Sequence, residues 1–220
     1  MLQRLPGAGI WNYYGQTELA PYHTVLKAKD AMKKLGSAGM GGLNMETRLE
    51  DDNYVPIAKP GIPGEICAKG PHAMMLYFKD PEKTELAMKG GWFHSGDIGI
   101  MDDDRYIEVA DRKKDMVKTG GENVATREVE EAIYKDSRVQ EVAVIGVPHP
   151  KWVEAVTAVI VPKKDMKITA EEIMEHCRKE LAAFKVPKGV VFVNALPKTP
   201  TGKILKRDMR VTYKSMFEKG

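Results

Sequence analysis

Cysteine is nearly missing from this 220-residue chain: Cys67 and Cys177 are the only two, they lie far apart, and neither belongs to a CxxC pair. That excludes a disulfide-framed secreted module and offers no zinc-ligand spacing. No apolar run reaches bilayer length; stretches such as residues 139–147 are far too short, so no membrane span is expected. Residues 1–9 contain no apolar stretch of signal-peptide length. With the cysteine usage, this makes a cytoplasmic chain the expectation. There is no internal repeat, low-complexity tract or long linker. What is present is 43% hydrophobic and 30% charged, the composition of a soluble globular protein with enough chain for one large domain or two modest ones.

The formal net charge of +3 conceals an offset between the halves. Residues 1–110 carry 12 Lys and Arg against 15 Asp and Glu, whereas residues 111–220 carry 22 against 16. Such an offset points to two units, the second facing something anionic. Nucleic acid is not the expected partner. The basic residues of the second half are mixed with acids as on a solvated helix face, and no stacking aromatics punctuate them.

The first half reads as short strands broken by glycine and proline. Residues 45–50 alternate apolar and polar at period two, and residues 64–70 form a short glycine-bounded strand. Pro56, Pro60, Pro63 and Pro71 mark turns. Asp80 and Pro81 open a short helix, Asp80 at the N-cap and Pro81 at the first helical position. Residues 102–105 (Asp-Asp-Asp-Arg) read as a hairpin turn ahead of a strand at 106–109. The second half alternates strands and helices. Thr126 is placed to cap a helix running to Tyr134, with Val129, Ala132 and Ile133 as its apolar stripe. Residues 139–147 and 153–161 are β-branched strands, and Thr169 with Glu172 forms a capping box that opens a helix to Leu181. A strand at 190–193 and a helix at 205–216 complete the pattern. The expected fold class is α/β (α+β): a β-rich first unit, then a compact α/β unit, with the boundary near residues 111–114.

Four segments have compositions that packing does not explain. Tyr13-Tyr14-Gly15-Gln16-Thr17-Glu18 offers an aromatic face for a base, a glycine for close backbone approach, a hydroxyl for a phosphate oxygen and a carboxylate for a hard cation such as Mg2+. The competing reading is an ordinary turn with two half-buried tyrosines. In residues 91–99, Asp97 follows a glycine at the end of an aromatic strand, suited to accept hydrogen bonds from the vicinal hydroxyls of a ribose. His94 beside those aromatics reads as a structural residue, since no partner spacing supports a metal there. In residues 111–123, Arg112, Lys113, Lys114 and Lys118 precede Gly120-Gly121. That is a cationic turn suited to a phosphate-bearing ligand or a moving joint, or else a solvated basic hairpin. Pro197-Lys-Thr-Pro-Thr-Gly-Lys203 is a stiff loop that aims one ammonium group at a phosphate or carboxylate. It is not a Walker A loop, which needs glycine where Pro197 stands and Ser or Thr where Ile204 stands. Lys206, Arg207 and Arg210 beyond it read as surface.

Taken in this order, the motifs resemble the C-terminal part of the adenylate-forming superfamily: acyl-CoA synthetases, luciferases and peptide-synthetase adenylation domains. The resemblance runs from Tyr14-Gly-Gln-Thr-Glu18 through Gly64-Glu-Ile and Tyr77-Phe-Lys-Asp-Pro-Glu-Lys-Thr84. It continues through residues 92–99 and 111–131 to Pro200-Thr-Gly-Lys203. It implies that residues 1–111 are the C-terminal, β-rich part of the large AMP-binding domain, and residues 112–220 a small mobile lid domain with a short mixed sheet. It implies a reaction in which a carboxylate attacks the α-phosphate of ATP, giving an acyl-adenylate and pyrophosphate, after which coenzyme A displaces AMP. By the same resemblance, Tyr14 stacks on adenine, Gly15 and Gln16 belong to the nucleotide motif, Thr17 contacts a phosphate and Glu18 ligates Mg2+. Asp97 and Arg112 hold the ribose hydroxyls, and Lys203 bridges the carboxylate and the α-phosphate. Lys114 matches the family's hinge. Lys118, Gly120, Gly121 and Glu122 match the segment that faces the thiol after the lid swings.

Within the superfamily, residues 120–124 (Gly-Gly-Glu-Asn-Val), 128–133 and 144–150 most resemble fatty-acyl-CoA synthetases. A luciferase-type oxidase shares these motifs, and a peptide-synthetase domain fits less well because no carrier module follows Lys203. The family's Ser/Thr/Gly-rich phosphate loop lies upstream of the Tyr-Gly motif, and nothing here resembles it. The expectation is a chain that works with a separate N-terminal portion, either as part of a synthetase or as a non-catalytic nucleotide-binding lid fragment.

Overall fold

The computed structural model describes residues 7–218; the first six residues of the N-terminal stretch noted above lie outside it. The chain divides into two compact units, the first ending at Lys113 and the second beginning at Lys114.

The first unit is built on one antiparallel sheet of seven strands: β1 (Asn12–Tyr14), β2 (Thr24–Leu26), β3 (Ser37–Gly41), β4 (Glu46–Glu50), β5 (Pro63–Lys69), β6 (Phe93–Met101) and β7 (Ile107–Arg112). They lie in the order β1-β2-β3-β7-β6-β5-β4. The period-two pattern of β4 buries Thr47 and Leu49 while Glu46 stays exposed. Before α1 (Pro81–Ala87), the Asp80 carboxylate accepts the Lys83 backbone N–H at 3.0 Å, the cap that the sequence predicts. Two apolar clusters hold the sheet. Tyr14 packs on Leu49, Ile66 and Ile107, and Ala73 and Met88 pack on Leu19, Met45, Ala68 and Phe93.

Strand β6 does not end near Asp97 as expected but continues to Met101. Its pairing with β5 shifts: Ile98 lies opposite Glu65 and His94 opposite Cys67, so Ser95, Gly96 and Asp97 together face Ile66. This bulge lets the strand run on while freeing Asp97 from the β5 side of the ladder.

The second unit contains β8 (Val117–Thr119), β9 (Glu122–Val124), α2 (Thr126–Tyr134), β10 (Val139–His149), β11 (Val153–Pro162), α3 (Ala170–Glu180), β12 (Gly189–Phe192) and α4 (Lys206–Thr212). Its sheet runs β10-β11-β8-β9, with β12 parallel to β11 and the other pairs antiparallel, a mixed sheet. Helices cover both faces of β10 and β11. Val142, Val144, Val156, Ala158 and Ile160 meet Val129 and Ile133 of α2 and Ile173 and Cys177 of α3. Ala143, Ile145, Val147, Val159 and Val161 meet Leu196 and, on α4, Met209. A strand covered on both faces needs the continuous β-branched run seen here, each buried Val or Ile contributing about 1.5–3 kcal/mol. The capping box of α3 is formed, with Thr169 and Glu172 bonding each other's backbone.

Two helix expectations are corrected. Ala125, not Thr126, stands at the N-cap of α2, and Thr126 is wholly buried, its hydroxyl accepting from Lys206 Nζ at 2.6 Å. Helix α4 stops at Thr212 rather than Met216, where the Thr212 hydroxyl donates back to the Asp208 carbonyl at 3.0 Å. Two successive β-branched residues, Val211 and Thr212, weaken that last turn.

His23, next to β2, is fully buried; its Nε2 lies 3.2 Å from Thr47 Oγ1 and its Nδ1 has no partner. Burial pushes its pKa down to about 4. The folded imidazole therefore stays neutral while an unfolded chain protonates it near the ordinary value of about 6.5. Stability is full above that value and is lost as pH falls toward 4. Acidification from pH 7 to 5 is expected to cost the wild type about 2 kcal/mol more than it costs His23→Leu, read from urea midpoints. Equal losses in both chains would contradict this.

Candidate functional site

Asp97, a residue only 8% exposed, sits where the end of β1 meets the bulge of β6. Tyr14 donates its O–H to Asp97 Oδ2 at 2.7 Å. Gln16 Nε2 donates to the same oxygen at 3.1 Å and to the Ser95 carbonyl at 2.8 Å. Across the β6–β7 ladder, in register with Asp97, Arg112 Nε lies 3.8 Å from Oδ1. Burial, then the neighbouring Asp97 carboxylate, push the Tyr14 phenol far above its ordinary pKa, so it remains a donor. A carboxylate withdrawn from water needs such partners. Both neutral donors occupy Oδ2, and Oδ1 faces the exposed Arg112 guanidinium.

Glu65 on β5 holds the bulge from behind. Its Oε1 accepts the Gly96 N–H at 3.0 Å, its Oε2 pairs with Lys113 Nζ at 3.0 Å, and the Lys113 N–H donates to the Gly96 carbonyl at 2.8 Å. Lys113 also pairs with Asp52 at 3.0 Å. Partial burial opposes the charge on Lys113, but the Glu65 and Asp52 carboxylates outweigh it and hold the pKa above its ordinary value. Behind Tyr14, the His23 N–H donates to the Tyr14 carbonyl at 3.1 Å and the two rings lie 5.6 Å apart.

The rest of the Tyr-Gly motif turns sharply. A Cβ on Gly15 would come within 1.7 Å of the Pro21 carbonyl oxygen, so the close approach that the glycine permits is to its own chain. Exposed Thr17 begins a single 3₁₀ turn, Thr17–Leu19, anchored by the buried Leu19. Glu18 is half-buried, and its Oε1 accepts the Tyr77 O–H at 2.8 Å. Desolvation, then Glu18, push the Tyr77 phenol up to about 12. A carboxylate with one oxygen accepting from a neutral donor still presents the other to a hard cation, so Glu18 fits Mg2+ by donor chemistry.

The remaining candidates belong to the second unit. Lys203 is exposed on a loop braced by three bonds: Thr199 N–H to the Lys203 carbonyl at 2.8 Å, Lys203 N–H to Thr199 Oγ1 at 3.1 Å, and Gly202 N–H to the Thr199 carbonyl at 2.9 Å. Gly120 and Gly121, at φ +60° and +88°, form the two-residue turn of the β8–β9 hairpin, the backbone conformation that favours glycine. The hairpin is pinned: Gly120 N–H donates to the Trp152 carbonyl at 3.0 Å and Lys118 N–H to Glu154 Oε2 at 2.8 Å. Glu122 is exposed at the start of β9. Lys114 is exposed between two fastened neighbours, Lys113 in the first unit and Asp115, which pairs with Arg210 at 2.8 Å, in the second. Arg210 and Lys206, read above as surface, are thus structural; Lys206 also pairs with Glu130 at 2.7 Å.

Sequence spacing missed several of these groups. Glu65 and Tyr77 lie in noted motifs, but only folding brings them to Gly96 and Glu18, 31 and 59 positions away. Spacing also hid a cluster at His94, where Glu50, Cys67 and His94 bring three ligand-type atoms within 4.8 Å of one another. These groups have protein partners: Arg48 Nε donates to Glu50 at 2.6 Å, Cys67 Sγ lies 3.3 Å from His94 Nδ1, and His94 Nε2 lies 3.2 Å from the Lys89 carbonyl oxygen. Burial, with Glu50 and Glu65 nearby, pushes the Cys67 thiol well up, which keeps it protonated.

Comparison with known proteins bears on both units. A family model described as "AMP-binding enzyme" matches residues 1–78, and one described as "AMP-binding enzyme C-terminal domain" matches residues 128–203. The chain is 44% identical over 197 residues to a feruloyl-CoA synthase of Amycolatopsis sp, covering 90% of this chain and 40% of that protein. It is 42% identical over 209 residues to a long-chain-fatty-acid–CoA ligase of Escherichia coli O6:H1, covering 94% of this chain and 36% of the ligase. The chain therefore spans about 40% of the length of these relatives. Among solved structures, it resembles the o-succinylbenzoate coenzyme A synthetase of Bacillus subtilis in complex with ATP and magnesium ion. The TM-score is 0.85 at 30% identity, over 94% of this chain and 42% of that one.

The geometry of the Tyr14–Glu18 turn sets a stability test. Gly15→Ala forces backbone apart at Pro21 and is expected to cost about 3 kcal/mol, at the upper end for overpacking. Thr17→Ala, at an exposed neighbour, is expected to stay within about 0.5 kcal/mol. Urea unfolding checks both; a Gly15→Ala chain as stable as the wild type would refute the close approach.

Proposed function

The chain belongs to the AMP-binding enzyme family, and on that footing we propose that it supplies the ribose-holding site and the lid of an AMP-forming acyl-CoA ligase. The observation that carries this reading is the buried Asp97 carboxylate, bonded by Tyr14 and Gln16 on one oxygen and faced by Arg112 on the other. Two vicinal hydroxyls are the ligand chemistry that such an acceptor beside a cation suits. In this reading Tyr14 offers its ring to adenine, with Gly15 and Gln16 shaping that turn and Thr17 reaching a phosphate. Glu18 would hold Mg2+, which, when bound, neutralises charge on the phosphates.

Lys203 then acts electrostatically. A carboxylate oxygen attacks the α-phosphorus, a P–O bond forms, the bond to pyrophosphate breaks, and a fixed ammonium between the two reactants stabilises the charge that develops. The braced loop around Lys203 supports that task, because a preorganised charge need not reorganise during reaction. In the second step the thiol of coenzyme A attacks the acyl carbonyl and AMP leaves. Lys118, Gly120, Gly121 and Glu122 are proposed to line the thiol's approach, the side-chain-free turn leaving room for a thin chain. Lys114 is proposed as the hinge on which residues 112–220 swing as a lid against the large domain ending near residue 111.

The relatives' names cover a feruloyl group and long-chain fatty acids. What they share, and what we propose here, is a carboxylate carried to coenzyme A; a fatty acid is one member of that class. The phosphate loop and most of the acyl pocket are proposed to come from an N-terminal portion of the kind that the longer relatives possess, and the setting is proposed to be the cytoplasm. No helix among the described residues is long and apolar enough to cross a membrane.

The test is made in a chimera joining this chain to the N-terminal part of the Escherichia coli ligase. Lys203→Ala is expected to slow acyl-adenylate formation roughly 100-fold or more, measured by pyrophosphate exchange, while sparing thioester formation from supplied acyl-adenylate. Lys114→Pro is expected to do the reverse, since proline fixes φ where the lid must turn. Equal losses in both half-reactions for both variants would mean that these lysines only support the fold.

A further inference from the structure

Tyr77 is held on three sides in a segment that otherwise faces outward. Its neighbours Met75, Leu76 and Phe78 are 90%, 59% and 82% exposed, whereas Tyr77 turns inward. Its backbone N–H donates to Thr84 Oγ1 at 2.9 Å, and the Thr84 hydroxyl donates to the Asp80 carbonyl at 2.8 Å, so the capped start of α1 fixes the tyrosine's backbone. Lys83 Nζ lies 3.8 Å from the centre of its ring. Its hydroxyl donates to Glu18 Oε1 at 2.8 Å, and three residues earlier Met74 N–H donates to the Glu18 carbonyl at 2.7 Å. The segment thus grips Glu18 by both backbone and side chain, while Leu19 is buried beside Met74.

We propose that Tyr77 is the positioning residue for a divalent cation bound through Glu18. The proposal rests on the reading of Glu18 as the Mg2+ ligand and adds the group that orients it. A glutamate on a single 3₁₀ turn has several rotatable bonds, and freezing them on cation binding costs conformational entropy. The Tyr77 hydrogen bond imposes that order beforehand. Its donor is neutral and places no positive charge beside the carboxylate; a lysine in the same place would cancel the attraction for the cation. The nearby ammonium, Lys83, lies over the tyrosine ring. Hydrogen-bonding partners of ligating carboxylates typically matter 10–100-fold for metal affinity or activity.

The experiment measures Mn2+ binding to the 220-residue chain in the presence of ATP, by the enhancement of water-proton relaxation above that of the Mn2+–ATP complex alone, with far-ultraviolet circular dichroism as the check on folding. Tyr77→Phe removes only the hydroxyl and is expected to weaken Mn2+ binding about 10-fold. Glu18→Gln is expected to weaken it at least as much, and the double variant no more than Glu18→Gln alone, because Tyr77 acts only through Glu18. Unchanged binding in Tyr77→Phe, or losses that add in the double variant, would overturn the positioning role. A Glu18→Gln chain that binds Mn2+ like the wild type, or a wild type that binds none with ATP, would overturn the reading of Glu18 itself and the proposal with it.

Discussion

A carboxylate taken out of water must find donors, and around Asp97 that requirement organises the first unit. The donors come from β1 and the turn after it, so Tyr14 and Gln16 are drawn onto β6 across more than 80 positions of sequence. The acceptor is delivered by a bulge, and the bulge's own amide is satisfied by Glu65. Glu65 in turn ties down Lys113, the last residue of the unit. Losing one member leaves a buried polar group unpaired, a penalty of about 1–3 kcal/mol that passes along the chain of contacts. Stability and the proposed ribose site thus depend on the same hydrogen bonds.

The joint between units shows the same economy. Lys113 is paired on one side and Asp115 on the other, which leaves Lys114 as the exposed residue between two anchored ones. Fastened neighbours on either side of one exposed residue suit the hinge proposed at Lys114. In the second unit the two functional candidates are also on braced supports, a hairpin turn bonded to Trp152 and a loop closed on Thr199. Lys151 and Lys188 lie 5.6 and 5.4 Å from the Trp152 ring, adding cationic character beside that turn.

Local signals were legible and distant ones were not. The β-branched runs of β10 and β11, the Thr169–Glu172 capping box and the Asp80–Pro81 helix start depend on neighbours within a few residues, and the structure has them as expected. Thr126 misled because a partly buried lysine, Lys206, competes for its hydroxyl from 80 positions away. The bulge at Ser95–Asp97 cannot be read from β6 alone, since it exists only relative to β5. Close backbone approach is legible in the motif glycine at position 15; that Pro21 is what it approaches is not. The supports of the candidate site, Glu65, His23 and Tyr77, carry ordinary residue types whose roles are set entirely by what folding places beside them.

The role proposed for the Asp97 carboxylate is to hold the two hydroxyls of a ribose. Calorimetric titration of the chain with AMP and with 2′,3′-dideoxy-AMP tests it directly, in the wild type and in Asp97→Asn. Charge-assisted hydrogen bonds of this kind contribute about 1.5–3 kcal/mol, so AMP is expected to bind about 10-fold or more tightly than its dideoxy counterpart, and Asp97→Asn to lose most of that preference. Equal affinity of the wild type for the two nucleotides would contradict it.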